Sequence, residues 1–243
     1  MTHLGKIMDL SPRIAALEWD RIARDLDATG YAVVPSLLNR AECESLAACY
    51  DSPDVFRKTV VMARYRFGLG EYKYWQYPLP DIVQTLREGL YPYLAPIVNG
   101  WFRKLEISPE LPGQFDQMQA LCHRNGQKLP TPLILRYGKG GFNTLHQDLY
   151  GDVYFPVQAV INLSEPGEDF EGGEFVLTEQ VPRAQSKAVV LSPRRGDMII
   201  FTTNFRPVKG SRGYYRANMR HGVSELRKGS RTAVGIIFHD ATS

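Results

Sequence analysis

The sequence predicts an α+β chain with a mainly β core. A closed β architecture spans residues 131–243, and residues 1–130 supply supporting helices and an aromatic, basic hairpin. Three observations predict it. From Pro132 onward, short β-prone apolar runs alternate with Gly and Pro, and no long helical pattern separates them. Earlier, apolar residues recur at helical spacing. At 243 residues with 44% hydrophobic content, the chain fits one large unit with a substantial core, and no repeat or low-complexity tract divides it. We expect a single domain over 1–243.

In order, Ile14, Leu17, Ile22 and Leu26 predict one helix from about Pro12 to Ala28, stopped by Thr29-Gly30. Tyr31 to Pro35 reads as a short strand. Asn39 stands where an N-cap would start a second helix through Leu46 to Tyr50. From Ala63 to Pro80, Tyr65, Phe67, Tyr72, Tyr74, Trp75 and Tyr77 interleave with Arg64, Arg66 and Lys73. Gly68-Leu69-Gly70 would fold two short strands back as a hairpin. Such a hairpin either packs on the core or forms a substrate lid, its rings stacking on bases and its cations meeting phosphates. Asp81–Leu90 and Tyr91–Lys104 read as consecutive helices, with Pro92 and Pro96 near a first turn. Phe115 to His123 reads as a further helix closed by Gly126. The β runs are Leu133–Tyr137, Val153–Leu163, Gly173–Thr178, Ala188–Leu191, Asp197–Thr202, Met219–Leu226 and Arg231–His239.

No apolar run approaches the ~20 residues of a membrane span. The N-terminus shows no apolar signal core or small-residue cleavage site, so a cytoplasmic location is expected. Cys43, Cys49 and Cys122 follow no zinc or redox spacing and read as reduced thiols. The net charge is +3 but unevenly spread. His146 to Gln180 holds eight acids and no Lys or Arg, whereas Arg183 to Arg231 holds twelve Lys+Arg against Asp197 and Glu225. This predicts a basic lobe.

The candidate chemistry centres on PLILRYGKGGFNTLHQD. If its end is extended, His146 and Asp148 project side by side while Gln147 points away. His221 follows in NMRHGVSEL, and Arg231 in GSRTAVGIIFHD. Two imidazoles and one carboxylate on one face leave coordination positions open, the pattern of a non-haem Fe(II) oxygenase. His3 and His123 have no such partners and read as surface residues.

Tyr137, His146, Asp148, Gly172-Gly173-Glu174-Phe175, Gly196-Asp197, His221 and Arg231 together resemble the Fe(II)- and 2-oxoglutarate-dependent dioxygenase superfamily. The resemblance covers roughly Leu133 to Asp240. It implies a double-stranded β-helix, with iron held by His146, Asp148 and His221. It also implies O₂ and 2-oxoglutarate as cosubstrates, the far carboxylate of the latter met by Arg231 and Tyr137. RYGKGG…LHQD looks like both the prolyl 4-hydroxylases and the AlkB-type nucleic-acid demethylases. With RFGLGEYKYWQYPLP and NFRPVKGSRGYYRANMRHGVS added, the chain looks like a bacterial AlkB-related family assigned to oxidative repair of nucleic acids. It departs from the AlkB pattern at Leu135, where that pattern has asparagine, and at Tyr150, where it has an acid.

The resemblance implies a reaction type: decarboxylation of 2-oxoglutarate coupled to C–H hydroxylation. The substrate must be read elsewhere. Asn204 to Arg220 holds Arg206, Lys209, Arg212, Arg216 and Arg220 with Tyr214-Tyr215, and no acid. As a loop overhanging the metal it would grip phosphates while rings stack on a base. Otherwise it is a solvated basic loop, or one that binds an acidic protein. Arg66, Tyr150, Arg212, Tyr214 and Arg216 are therefore the candidate substrate contacts, with alkylated DNA or RNA as the expected partner. A prolyl-type protein hydroxylase is the alternative. A cupin-like metal binder without turnover is a third reading, against which Arg231 and Tyr137 argue.

Overall fold

Two antiparallel sheets close on each other in the computed structural model of the chain, which describes residues 10–243. The expected surface position of His3 lies outside the described residues. Helices α1 (Ser11–Ala15) and α2 (Trp19–Thr29) lead into β1 (Tyr31–Val34), and α3 (Arg40–Ala48) precedes β2 (Phe56–Val61), β3 (Gly68–Leu69) and β4 (Glu71–Trp75). Helices α4 (Asp81–Lys104) and α5 (Phe115–Arg124) follow, then β5 (Leu133–Tyr137), β6 (Phe142–His146), β7 (Val157–Asn162) and β8 (Phe170–Gly172). The chain ends with β9 (Phe175–Gln180), β10 (Lys187–Leu191), β11 (Met198–Thr202), β12 (Phe205–Gly210), β13 (Gly213–Val223), β14 (Leu226–Gly229) and β15 (Arg231–Ile236). The larger sheet has the order β1-β11-β7-β15-β5-β4-β2, and the smaller β10-β9-β13-β6-β3 with β12 on β13. This is the expected double-stranded β-helix.

The central strands β11, β7 and β15 of the larger sheet are buried on both faces, which explains why they read as continuous apolar runs. Ile134, Val157, Ala159, Ile161, Met198, Ile200, Val234 and Ile236 pack outward into one cluster with the helices. Val160, Ile199, Phe201 and Ala233 turn inward onto Phe175 and Leu177 of the smaller sheet. The helices therefore support the barrel from outside, as expected. The cap at Asn39 is present: its side chain accepts from the Glu42 backbone N–H, and the Glu42 carboxylate accepts from the Asn39 N–H.

Several local expectations are corrected. The helix expected from Pro12 to Ala28 is two, α1 and α2, broken between Ala15 and Trp19. The two helices expected from Asp81 to Lys104 are one. Its buried stripe of Ile82, Leu86, Leu90, Leu94 and Val98 contributes roughly 1.5–3 kcal/mol per side chain, about 7.5–15 kcal/mol for the five, which exceeds the roughly 6 kcal/mol that two interior prolines cost at ~3 each. Pro92 is half-buried and Pro96 exposed, four residues apart on the other face. Gly68-Leu69-Gly70 does not itself make a tight turn between two strands. The reversal from β2 to β4 (Val61 opposite Glu71) is a longer one over residues 62–70, opening with the 3₁₀ turn Met62–Tyr65, and β4 pairs with β2 and with β5. Strand β3 instead joins β6 of the other sheet. Gly70, at φ +153°, carries the chain between sheets; a Cβ there would lie 2.7 Å from the Tyr137 ring.

The basic segment after Asn204 is not a loop. It is a hairpin, β12 with β13, turning at Ser211-Arg212 between the paired Gly210 and Gly213. The expected basic lobe is partly neutralised, because five of its twelve cations meet acids of the acid-rich stretch. Arg194 meets Glu165 at 3.0 Å, Arg195 Asp169 at 2.7 Å, Arg206 Glu179 at 2.9 Å, Lys228 Glu171 at 3.3 Å and Arg227 Glu174 at 3.9 Å. His123 is also more than a surface residue. Its Nε2 lies 2.9 Å from Asp240, which is fully buried with Arg87 at 2.6 Å. Arg87 also donates to the Tyr77 hydroxyl and the Ile237 carbonyl, tying α4 to the end of the last strand. No described helix is long and apolar enough to cross a membrane.

Two predictions follow from this packing. Arg87→Met leaves the Asp240 carboxylate buried without its cation and should lower stability by about 3–5 kcal/mol in urea denaturation. His239 is fully buried, accepts from the Phe155 N–H and has its pKa pushed down to about 3 by burial, with the Arg87 charge adding to the effect. The unfolded chain binds a proton near pH 6.5 that the folded chain refuses. Its contribution is therefore complete above about 6.5 and should fall by about 1.4 kcal/mol per pH unit as pH drops toward 3. His239→Asn, which keeps an acceptor for Phe155, should remove that component from the stability–pH curve.

Candidate metal and cosubstrate site

Strand pairing builds the site. His221 on β13 stands directly opposite His146 at the end of β6, and their rings lie 4.2 Å apart. Asp148 follows just past β6, its N–H donating to Thr203 Oγ1 at 2.9 Å. Gln147 points elsewhere and donates to the Asn204 and Met219 carbonyls, pinning the turn to β13. The Nε2 atoms of His146 and His221 lie 3.5 and 3.4 Å from the two oxygens of Asp148. One ligand atom from each residue falls within 4.8 Å of the others. Adjacent ligands of a metal at ~2.1 Å bond lengths sit about 3 Å apart, so a cation fits with small side-chain adjustment.

Protonation suits this use. His146 Nδ1 lies 2.8 Å from the Thr144 carbonyl, to which it donates, so that Nε2 is the nitrogen left to face a metal. Burial opposes ionisation of Asp148, but the His221 contact, both imidazoles and the Tyr150 hydroxyl outweigh it. Its carboxyl is held well below the ordinary range. Burial, with the neighbouring His146 next in effect, lowers the His221 pKa and favours the neutral ring that binds metal.

The second pair faces the same interior. Arg231 opens β15 directly opposite Tyr137 on β5. Arg231 is 1% exposed, yet its Nε and Nη2 have no partner, and neither has the buried Tyr137 hydroxyl. Burial lowers the Arg231 pKa and pushes the Tyr137 phenol up. Gly173, at φ +64°, closes over this end; a Cβ there would stand 3.3 Å from Arg231 Cδ. A buried guanidinium with free donors beside an unpaired phenol is a costly arrangement unless an anion completes it. The far carboxylate of 2-oxoglutarate fits that description.

A cavity of about 240 Å³ joins the two ends, lined by Tyr72, Leu135, Tyr137, Phe175, Phe201 and Arg231 together with the His-Asp-His cluster. Tyr150 lines it too, donating to Asp148 Oδ1 at 2.9 Å and meeting Tyr74 at 3.1 Å. Arg66 is exposed and is not among the lining residues, though its chain neighbour Phe67 is. Arg212, Tyr214 and Arg216 do not line it. Strand alternation turns Tyr214 and Arg216 to the face opposite His221. They lie about 23 and 17 Å from it along β13 at ~3.3 Å per residue. There Tyr214 packs under Lys104 and Arg216 on the Phe205 ring, near the end of α4. Arg206 is held by Glu179. The expected overhang above the metal is thus absent among the described residues. Sequence reasoning also passed over Gln158 and Phe201 as cavity residues; a polar Gln inside the apolar run Val157–Ile161 was the signal for the first.

This fold and this cluster define the class: an Fe(II)- and 2-oxoglutarate-dependent oxygenase. Residues 70–241 match a family described as "Oxygenase, catalysing oxidative methylation of damaged DNA", and the chain belongs to that family. Uncharacterised proteins from two Mycobacterium tuberculosis strains are each 48% identical over 164 residues, covering 68% of this chain and 70% of theirs. Among solved structures, a prolyl-4-hydroxylase of Pseudomonas putida is similar at TM-score 0.52 and 15% identity, over 92% of this chain and all of that one. A 2OG-Fe(II) family oxidoreductase of Burkholderia pseudomallei gives 0.54 at 15%, over 93% of each chain. A Trichoplax adhaerens prolyl hydroxylase with a bound hypoxia-inducible-factor peptide gives 0.54 at 16%, over 98% and 94%. These three likenesses show the shared fold. The enzyme accordingly uses Fe(II), 2-oxoglutarate and O₂.

His146→Ala, Asp148→Ala and His221→Ala should each abolish tight divalent-metal binding measured by calorimetry, with the circular dichroism of the barrel unchanged. Arg231→Lys keeps the charge but removes the planar fork, so the KM for 2-oxoglutarate should rise about 10-fold or more, or about 1.4 kcal/mol.

Proposed function

We propose that this oxygenase removes alkyl groups from nucleobases, working as one domain in the cytoplasm. His146, Asp148 and His221 hold the iron, and Arg231 with Tyr137 orients 2-oxoglutarate. The iron, once loaded, supplies the oxidising power that inserts an oxygen atom into a substrate C–H bond. On an N-methyl group the product is N–CH₂OH, which breaks its C–N bond to give formaldehyde and the unmodified N–H. The chain's own part is to hold the reacting group in a mostly apolar cavity and to keep water from it. Its three free thiols suit a reducing compartment.

The observation that carries the substrate reading is the cavity mouth. Tyr65 and Phe67 stack at 5.5 Å, 56% and 45% exposed, flanked by exposed Arg64 and Arg66. Rings with free faces next to cations suit an extruded or single-stranded base and its phosphates. The family description supports the same reading. A prolyl-type hydroxylase is the second reading, favoured by the RYGKGG…LHQD motif and by an apolar cavity that a peptide side chain would also enter.

Arg64→Ala with Arg66→Ala should weaken single-strand oligonucleotide binding and flatten log K against log salt by about 0.7 per lost contact, roughly 1.4 for both. Metal binding should not change. Succinate release measured with methylated oligonucleotides, peptides and no substrate decides between the readings. A wild-type protein stimulated by peptide alone, and without oligonucleotide affinity at low salt, would establish the hydroxylase instead.

A further inference from the structure

Gln158 is the one polar side chain on β7 that points into the cavity at its metal end. The residue is 3% exposed, and its Nε2 has no hydrogen-bond partner. Its location follows from the register. Gln158 stands opposite Phe201 on β11, so the two side chains share the inner face, and the Phe201 ring lies 4.7 Å from the His221 ring. On its other side, β7 pairs with β15 (Ala159 opposite Ile236), which sets Gln158 beside Ile237. Arg231 is at the other end of β15. The unpartnered amide thus sits next to the His-Asp-His cluster, away from the Arg231–Tyr137 pair. Around it the lining is apolar: Leu133, Val160, Phe201 and Ile237.

A buried amide donor without a partner is costly, because folding strips its water and returns nothing. At the same position in an otherwise apolar strand, leucine or methionine would fill the space without that loss. We propose that Gln158 is a ligand-binding residue that donates its amide N–H to a carbonyl or carboxylate oxygen of the molecule bound at the metal end. This rests on the reading that the cavity receives 2-oxoglutarate and its organic substrate beside the cluster. Two molecules can present such an oxygen there: the keto-acid end of 2-oxoglutarate, or a substrate carrying a carbonyl beside the oxidised group.

Gln158→Leu and the unbranched Gln158→Met are compared with wild type, so that one failure to fold does not end the test. Mn(II) loads the site without turnover, and 2-oxoglutarate affinity is measured by calorimetry; the KM and kcat of the organic substrate are then read from succinate release. Both apo variants should melt at or above wild type, because an unsatisfied amide has been removed, and Mn(II) affinity should not change. A fall in 2-oxoglutarate affinity of about 10-fold or more assigns the bond to a carboxylate. An unchanged 2-oxoglutarate affinity with a substrate KM raised roughly 3- to 10-fold at constant kcat assigns it to a substrate carbonyl. If both affinities stay within twofold, or if both apo variants melt lower, Gln158 is structural and the proposal is overturned. The 2-oxoglutarate measurement needs no organic substrate, and the KM measurement uses whichever substrate drives turnover. Failure of the nucleobase reading is therefore visible separately.

Discussion

A slip of β15 by one residue against β5 would turn Arg231 out of the barrel and leave Tyr137 without it, and the same slip of β13 against β6 would expel His221. Side chains alternate across a strand, so the site exists in only one register. That register is enforced by burial on both sides of the larger sheet. Moving Val234 and Ile236 inward would bring Arg231 and Gly235 against the helices, where α4 presents leucines and valines. The supporting helices therefore do more than cover the barrel. By making the outer face apolar, they fix which residues remain for the inner one.

Inside that frame the energetics run against stability. An unpaired guanidinium, an unpaired phenol, an unpaired amide and two close imidazoles around a carboxylate all occupy one small, mostly apolar space. Each is a group that a barrel selected only for folding would exclude. Five of the nine partnerless buried polar atoms among the described residues lie in this one cavity, which marks it as a binding site. Metal and dicarboxylate together supply the missing counter-charges, so ligand binding and barrel stability are coupled.

The charge pattern shows how sequence separation misleads. The acid-rich stretch lies on β7 to β9 and the base-rich one from β10 to β15, strands that neighbour each other in the closed barrel. Five ion pairs between the two stretches neutralise five of the twelve cations. What remains near the mouth is local: Arg64 and Arg66 beside two exposed rings.

Alternation, apolar runs and Gly/Pro punctuation made the β half legible in the sequence, because they report a local property: which face of a strand is wet. The His146–Asp148 pairing was legible for the same reason, whereas the roles of His221 and Arg231 were legible through the resemblance to the Fe(II)- and 2-oxoglutarate-dependent dioxygenases. Helix breaks were misread at both ends. Neither the gap between α1 and α2 nor the continuity of α4 through two prolines is decided by the residues nearby; packing energy from distant elements decides both. The Arg206 to Arg220 stretch looked like a substrate loop because its charges are visible in sequence and its strand partner is not. Only the tertiary structure pointed Tyr214 and Arg216 away from the metal, placed Phe67 at the mouth, and left Gln158 without a partner. Contact between residues far apart in the chain is created by the closing of the barrel, and no local pattern encodes it.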